Sequence, residues 1–226
     1  MQILIDDARV AQIRALDAHC PIAGVTTNPT ILLRAGRPPY EALREIRAAL
    51  GDARALHVQV TAAEAEGMMR EAERIVSRLG EGTYIKVPCV PEGYRALMRL
   101  HREGYRTTGT AVTSASQAFL AAECGADFVA PYVNRMDQMG YDGVGVVREI
   151  QALFGAQGSA TQVLGASFRN ARQVLALAEA GCSAVTVSPD VLEAMLHSAA
   201  ADEALARFAE DFERLVGAGR TMADCD

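Results

Sequence analysis

YIKVPCVPEGYRALMRLHREGYRTTGTAV, residues 84–112, holds one complete unit of the pattern that decides the fold. It opens on a strand-like run, Tyr84–Val87. Pro91-Glu92 reads as a helix start, and Leu97, Leu100 and His101 recur at helical spacing. Thr107–Val112 then begins the next strand. The same alternation extends to both ends of the chain. Further strands are expected at Ile3–Ile5, Gly24–Thr27, Leu56–Val60, Phe128–Val133, Gln162–Ala166 and Ala184–Val187. They are rich in Val, Ile and Thr, and several are nearly continuous apolar runs, as suits parallel strands covered on both faces.

Helical patterns fill the gaps, as with Leu43, Ile46 and Leu50, or Met68, Met69, Ala72, Ile75 and Leu79. Thr61 and Glu64 read as a capping box, while CGA at 124–126 and AGC at 180–182 read as helix C-caps. Eight strands, each followed by a helix, predict a single α/β domain over 1–226, a (β/α)8 TIM barrel. A doubly wound open sheet is the alternative, but it suits eight evenly spaced strands less well. Gly143-Val144-Gly145 is a lone G-x-G after a strand and a weak phosphate signal. An extra C-terminal helix, about 202–216, carries Leu205, Phe208, Ala209, Phe212, Leu215 and Val216 on one face. That stripe must be buried on its own barrel or on a neighbouring subunit, which points to an oligomer.

Composition narrows the function. The 226 residues are 50% hydrophobic and 22% charged, which excludes a disordered chain. The net charge of −6 is spread without a basic stripe, so neither nucleic acid nor an anionic membrane is an expected partner. No apolar run reaches a membrane span, and the N-terminus lacks a signal peptide's pattern. Five scattered cysteines without a C-x-x-C pair read as thiols in a reducing cytoplasm. The four histidines are isolated, so no metal and no cofactor is expected.

In a barrel the chemistry sits at the C-terminal ends of the strands. The polar residues expected there are Asp6, Thr26, Thr27, Asn28, Gln59, Lys86, Thr108, Thr110, Tyr132, Asn134, Arg135, Ser167 and Arg169. Of the 22 basic residues Lys86 alone is lysine, and it interrupts an apolar strand. It reads either as a strand-end lysine reaching solvent or as an amine nucleophile with a lowered pKa, able to form a Schiff base. Asp6 reads as a general base or as a helix N-cap, and Tyr132 as a proton carrier or a rim aromatic. Arg135, Ser167 and Arg169 supply charge-assisted and neutral donors on late strands, a frequent phosphate site. Asn28 before Pro29 is either a turn residue or an amide that orients a hydroxyl.

AGVTTNPTI (23–31), IKVP (85–88), GTAV (109–112), ADFVAPYVNRMD (126–137) and ASFRNARQ (166–173) together resemble the transaldolase family, and within it the fructose-6-phosphate aldolases. The resemblance runs from Met1 to about Val216. It implies a class I, metal-free aldolase that cleaves fructose 6-phosphate to dihydroxyacetone and glyceraldehyde 3-phosphate. By position it implies Lys86 as the Schiff-base lysine, Asp6 as acid/base and Asn28 as the amide on the dihydroxyacetone unit. Gln59, Thr110 and Tyr132 match the group that holds the catalytic water; Arg135 and Ser167 match the phosphate binders, with Arg169 at a basic position. It also implies a homopentamer or homodecamer in the cytoplasm. Transaldolases of the family carry glutamate and phenylalanine where this chain has Gln59 and Tyr132, so the aldolase is favoured over transfer to erythrose 4-phosphate. A non-catalytic sugar-phosphate binder is the remaining alternative. The chain departs from the pattern at Val90, Thr108, Thr113 and Ser188-Pro189-Asp190, and Thr108 bears on acceptor size.

Overall fold

Short apolar runs punctuated by Gly and Pro close into a ring of parallel strands. A computed structural model describes residues 1–225. The strands are β1 (Gln2–Asp6), β2 (Gly24–Thr26), β3 (Ala55–Gln59), β4 (Thr83–Pro88), β5 (Thr107–Val112), β6 (Phe128–Pro131), β7 (Gln162–Gly165) and β8 (Ala184–Val187). They form a closed barrel in sequential order, β1 pairing with β8. The expected (β/α)8 barrel is therefore the fold.

The helices are α1 (Val10–Asp17), α2 (Pro29–Ala35), α3 (Pro39–Leu50), α4 (Ala65–Leu79), α5 (Pro91–Arg102), α6 (Ala115–Glu123), α7 (Val133–Gln138), α8 (Gly143–Gln157), α9 (Ala171–Glu179), α10 (Pro189–Leu196) and α11 (Ala199–Val216). Their amphipathic faces follow the sequence pattern: in α4, Met68, Met69, Ala72, Ile75 and Leu79 are all buried. Each of the Met, Ile and Leu side chains contributes about 1.5–3 kcal/mol on burial, and Ala72 less. Gly125 and Gly181, at φ 85° and 79°, end α6 and α9 as the C-cap reading expected.

Helix α5 lies close over β4, and Gly93 permits this. A Cβ at that position would stand 1.8 Å from the Pro88 carbonyl oxygen, a backbone atom that cannot swing aside. Gly93→Ala is therefore expected to cost at least about 1–3 kcal/mol through overpacking. A thermal midpoint equal to that of the unaltered protein would contradict this.

Three local readings are corrected. Thr61 and Glu64 form no capping box: Glu64 makes no cap hydrogen bond at the start of α4, and the Thr61 N–H and hydroxyl both donate to Glu71. Strand six stops at Pro131, because Val133 already begins α7, so Asn134 and Arg135 stand on a helix. Gly143-Val144-Gly145 follows α7, not a strand, and opens α8, where Gly145 N–H donates to the capping Asp142 carboxylate.

The chain divides into two compact units, Met1–Leu192 and a second beginning at Glu193. The first contains the barrel. The second contains α11, capped by Ser198, which buries none of its residues; Leu205, Phe208 and Leu215 are exposed. Among the described residues no helix is long and apolar enough to cross a membrane.

Candidate active site

The inward-facing residues of the barrel change character along its axis. Lower down, Leu4, Phe128, Leu164 and Ala184 form an apolar cluster joined by Ala23, Ala55 and Tyr84. His57 stacks on Tyr84 with centroids 4.5 Å apart and meets Phe128 edge-on at 5.6 Å. Its Nδ1 lies 2.9 Å from the Thr108 hydroxyl. Burial, aided by the nearby Lys86 charge, lowers the His57 pKa to about 3. The unfolded chain takes up this proton below the ordinary value of 6.5, whereas the native chain does not. The stabilisation is present in full above pH 6.5 and is lost as pH falls, by up to ~1.4 kcal/mol per pH unit. Urea unfolding at pH 7 and at about pH 5, above the main carboxylate range, should show the loss, and His57→Asn should flatten it. An equal slope in both proteins would contradict the assignment.

Above this floor the strand ends turn polar around a cavity of about 400 Å³. Asp6, Thr26, Asn28, Gln59, Lys86, Tyr132, Arg135 and Ser167 all line it. These eight come from the ends of β1, β2, β3, β4, β6 and β7 or from the residues just beyond them.

Lys86 is 4% exposed and sits between Gln59 on β3 and Thr108 on β5 in the strand register. Its Nζ donates to the Thr27 carbonyl oxygen at 2.8 Å, and no ion pair among the described residues includes it. Burial pushes the amine below its ordinary pKa, and the Asp6 carboxylate partly opposes that shift. The strand-end lysine reaching solvent is thereby excluded.

Asp6 ends β1 and caps no helix; α1 begins four residues later with Arg9 as its N-cap. Burial raises the Asp6 pKa against the opposing influence of Lys86 and a hydrogen bond from Thr26. The Thr26 hydroxyl donates to Asp6 Oδ1 at 2.6 Å and lies 2.6 Å from the Thr186 hydroxyl. Thr26 has one proton to give, so the Thr186 hydroxyl donates to Thr26. This chain holds Asp6 as an acceptor.

Asn28 is both a cap and a cavity residue. Its Oδ1 accepts the Ile31 N–H at 3.0 Å, and its amide NH2 keeps both donors for the cavity. Gln59 Oε1 is buried and accepts no hydrogen bond from any described residue. A buried oxygen left unpaired costs about 1–3 kcal/mol unless a group in the cavity donates to it. A register shift between Gly109 and Val112, with Ala111 at φ 59°, accompanies the placement of Thr110 against Tyr132, hydroxyl to hydroxyl at 3.1 Å. The Arg135 guanidinium lies 5.8 Å from the centre of the Tyr132 ring. Ser167 takes a left-handed backbone at φ 60°, fixed where Asn134 N–H donates to its carbonyl oxygen at 2.7 Å.

Not every expected residue lines the cavity: Thr110 reaches it only through Tyr132, Asn134 stands on α7 outside the lining, and Thr108 and Arg169 stand apart as well. Thr108 lies beside Lys86 in the register, but its buried hydroxyl meets His57 and it does not line the cavity. Arg169 is exposed in the turn after β7, away from the cavity wall, and its backbone N–H donates to Gln173. Three polar lining residues were missed, Thr30, Arg34 and Thr186. Thr186 had a signal, the one hydroxyl in the run AVTV. Among the described residues no three His, Cys, Asp or Glu side chains are grouped to hold a metal ion.

The cavity thus pairs a buried amine with a half-buried acid and adds donors on two sides. That combination suits addition to a ketone followed by proton transfer. One solved structure with the same fold is a cube-shaped, highly porous protein cage designed by fusing symmetric oligomeric domains. It is 16% identical, with a TM-score of 0.60, over 94% of this chain and 74% of the other. The family model for transaldolase/fructose-6-phosphate aldolase matches residues 3–223. The chain belongs to the transaldolase/fructose-6-phosphate aldolase family and is an enzyme of that type.

Proposed function

We propose that the protein is a class I aldolase that reversibly cleaves fructose 6-phosphate to dihydroxyacetone and glyceraldehyde 3-phosphate. The observation that carries this reading is Lys86, a buried amine with no carboxylate partner in a polar cavity that also holds Asp6. The neutral amine adds to the C2 carbonyl, and loss of water with uptake of one proton, relayed by Tyr132, gives an iminium. Asp6 takes the proton of the C4 hydroxyl as the C3–C4 bond breaks, and the electron pair passes to the iminium, releasing glyceraldehyde 3-phosphate. Protonation at C3 and hydrolysis then free dihydroxyacetone and the amine. The Asn28 amide orients the three-carbon unit, Arg135 and Ser167 hold the phosphate, and Tyr132 with Thr110 carries protons to and from a water bound by Gln59.

Gln59 supports the aldolase over the transaldolase. Its amide positions water but has no proton to exchange near neutral pH, so proton transfer falls to the neighbouring Tyr132. The unpartnered Oε1 supplies the acceptor that such a water needs. Release of glyceraldehyde 3-phosphate from fructose 6-phosphate should occur without added erythrose 4-phosphate. Release only when erythrose 4-phosphate is present would make the enzyme a transaldolase. Arg135→Ala should raise KM for the phosphorylated sugar about tenfold or more, with a smaller effect on kcat, because the contact holds ground and transition states alike. A fall in kcat at unchanged KM would assign Arg135 another role. The exposed apolar stripe of α11 supports a homo-oligomer, and the thiols suit a reducing cytoplasm.

A further inference from the structure

The cavity holds three basic residues, Lys86, Arg34 and Arg135, against a single acid, Asp6. The reading above employs the first and the third. Arg34 stands in the last turn of α2, where Thr30, Ile31 and Arg34 share the face that lines the cavity. Its guanidinium makes no hydrogen bond or ion pair with any described residue. Arg37, three residues on, is by contrast held by Glu41 and Glu45. The Arg34 charge is felt at Asp6, yet no ion pair joins them.

Topology sets the direction. In a closed ring of eight strands in sequential order, β2 stands opposite β6. Arg34 follows β2 and Arg135 follows β6, so two arginines without carboxylate partners flank Lys86 from opposite sides of the mouth. A planar guanidinium with five donors matches a phosphate or a carboxylate.

We propose that Arg34 is an anion-binding residue on the ketone side of the cavity, so that the enzyme accepts three-carbon ketone donors bearing a phosphate or carboxylate of their own. The inference rests on the Lys86 aldolase reading. There Arg135 and Ser167 hold the phosphate of the aldehyde half, while Asn28 orients the ketone half. Asn28 caps the helix whose last turn carries Arg34, so a terminal anion on the ketone is the group presented to Arg34.

The experiment is borohydride trapping with dihydroxyacetone, dihydroxyacetone phosphate or pyruvate. The Lys86 amine adds to the ketone, water leaves, and hydride reduces the C=N bond to a stable secondary amine. Lys86 is the chain's one lysine, so peptide mapping separates its adduct from one on the N-terminal amine, and only the Lys86 adduct is counted. At least one anionic donor should half-label the enzyme at a concentration about tenfold below that for dihydroxyacetone, as a charge-assisted contact predicts. Which donor is preferred distinguishes phosphate from carboxylate. In Arg34→Ala the ratio should fall towards one, and Arg34→Lys should restore part of it. Equal concentrations for all three donors, or a preference unchanged in Arg34→Ala, would overturn the proposal. Failure of all three to label the unaltered enzyme would overturn the aldolase reading and this proposal with it.

Discussion

Lys86→Met is expected to reduce fructose 6-phosphate cleavage by at least ~10³-fold, because the covalent route disappears with the amine. Methionine matches the length of the lysine stem and carries no charge, so the barrel interior loses one hydrogen bond, to the Thr27 carbonyl oxygen, and little volume. The fold should persist, with an unchanged far-UV spectrum. No other lysine stands in the chain to take over the chemistry. A variant that keeps more than a tenth of the activity would show that the iminium is not formed at Lys86.

Asp6→Asn is expected to lower kcat by about 10²–10⁴-fold, the usual range for a general acid–base group. Asparagine still accepts the Thr26 hydroxyl, so the chain from Thr186 through Thr26 survives. Imine formation and cleavage then separate. Asp6→Asn should still trap dihydroxyacetone under borohydride while cleaving the sugar slowly, whereas Lys86→Met should do neither. The Asp6 carboxylate holds the Lys86 pKa up, so its removal lets that pKa fall further, and the acid limb of imine formation moves to lower pH. An acid limb displaced to higher pH, or full cleavage activity, would contradict the role given to Asp6.

The barrel was legible because its strands are regular. Buried cross-strand pairs such as Val58 and Ile85, or Val129 and Val163, fall in short β-rich runs bounded by turn residues. The short helices were less so. Val133 is β-branched and extends the strand pattern of 128–133, yet its backbone enters α7 as Tyr132 N–H donates to the Val112 carbonyl oxygen and Val133 N–H to that of Ala166. Those partners lie on neighbouring strands, beyond the reach of a local pattern. Thr61 failed as a cap for the same reason: Glu71, ten residues on, bonds it from α4.

The site divides in the same way. Lys86 and Asp6 stood out as charges ending apolar strands. Arg34 did not, because an arginine on an exposed helix end is ordinary in a chain rich in arginine. Only closure of the ring places it over the cavity, opposite Arg135. Thr108 is the opposite case: its place on strand five suggested substrate contact, and in the fold its hydroxyl meets His57 and not the cavity.

Fructose 6-phosphate alone, followed by borohydride, provides the decisive measurement. The intact protein should gain the mass of one reduced three-carbon unit, mapped to the peptide containing Lys86, with free glyceraldehyde 3-phosphate in the same mixture. An unmodified protein, or an adduct confined to the N-terminal amine while cleavage proceeds, would contradict catalysis through Lys86.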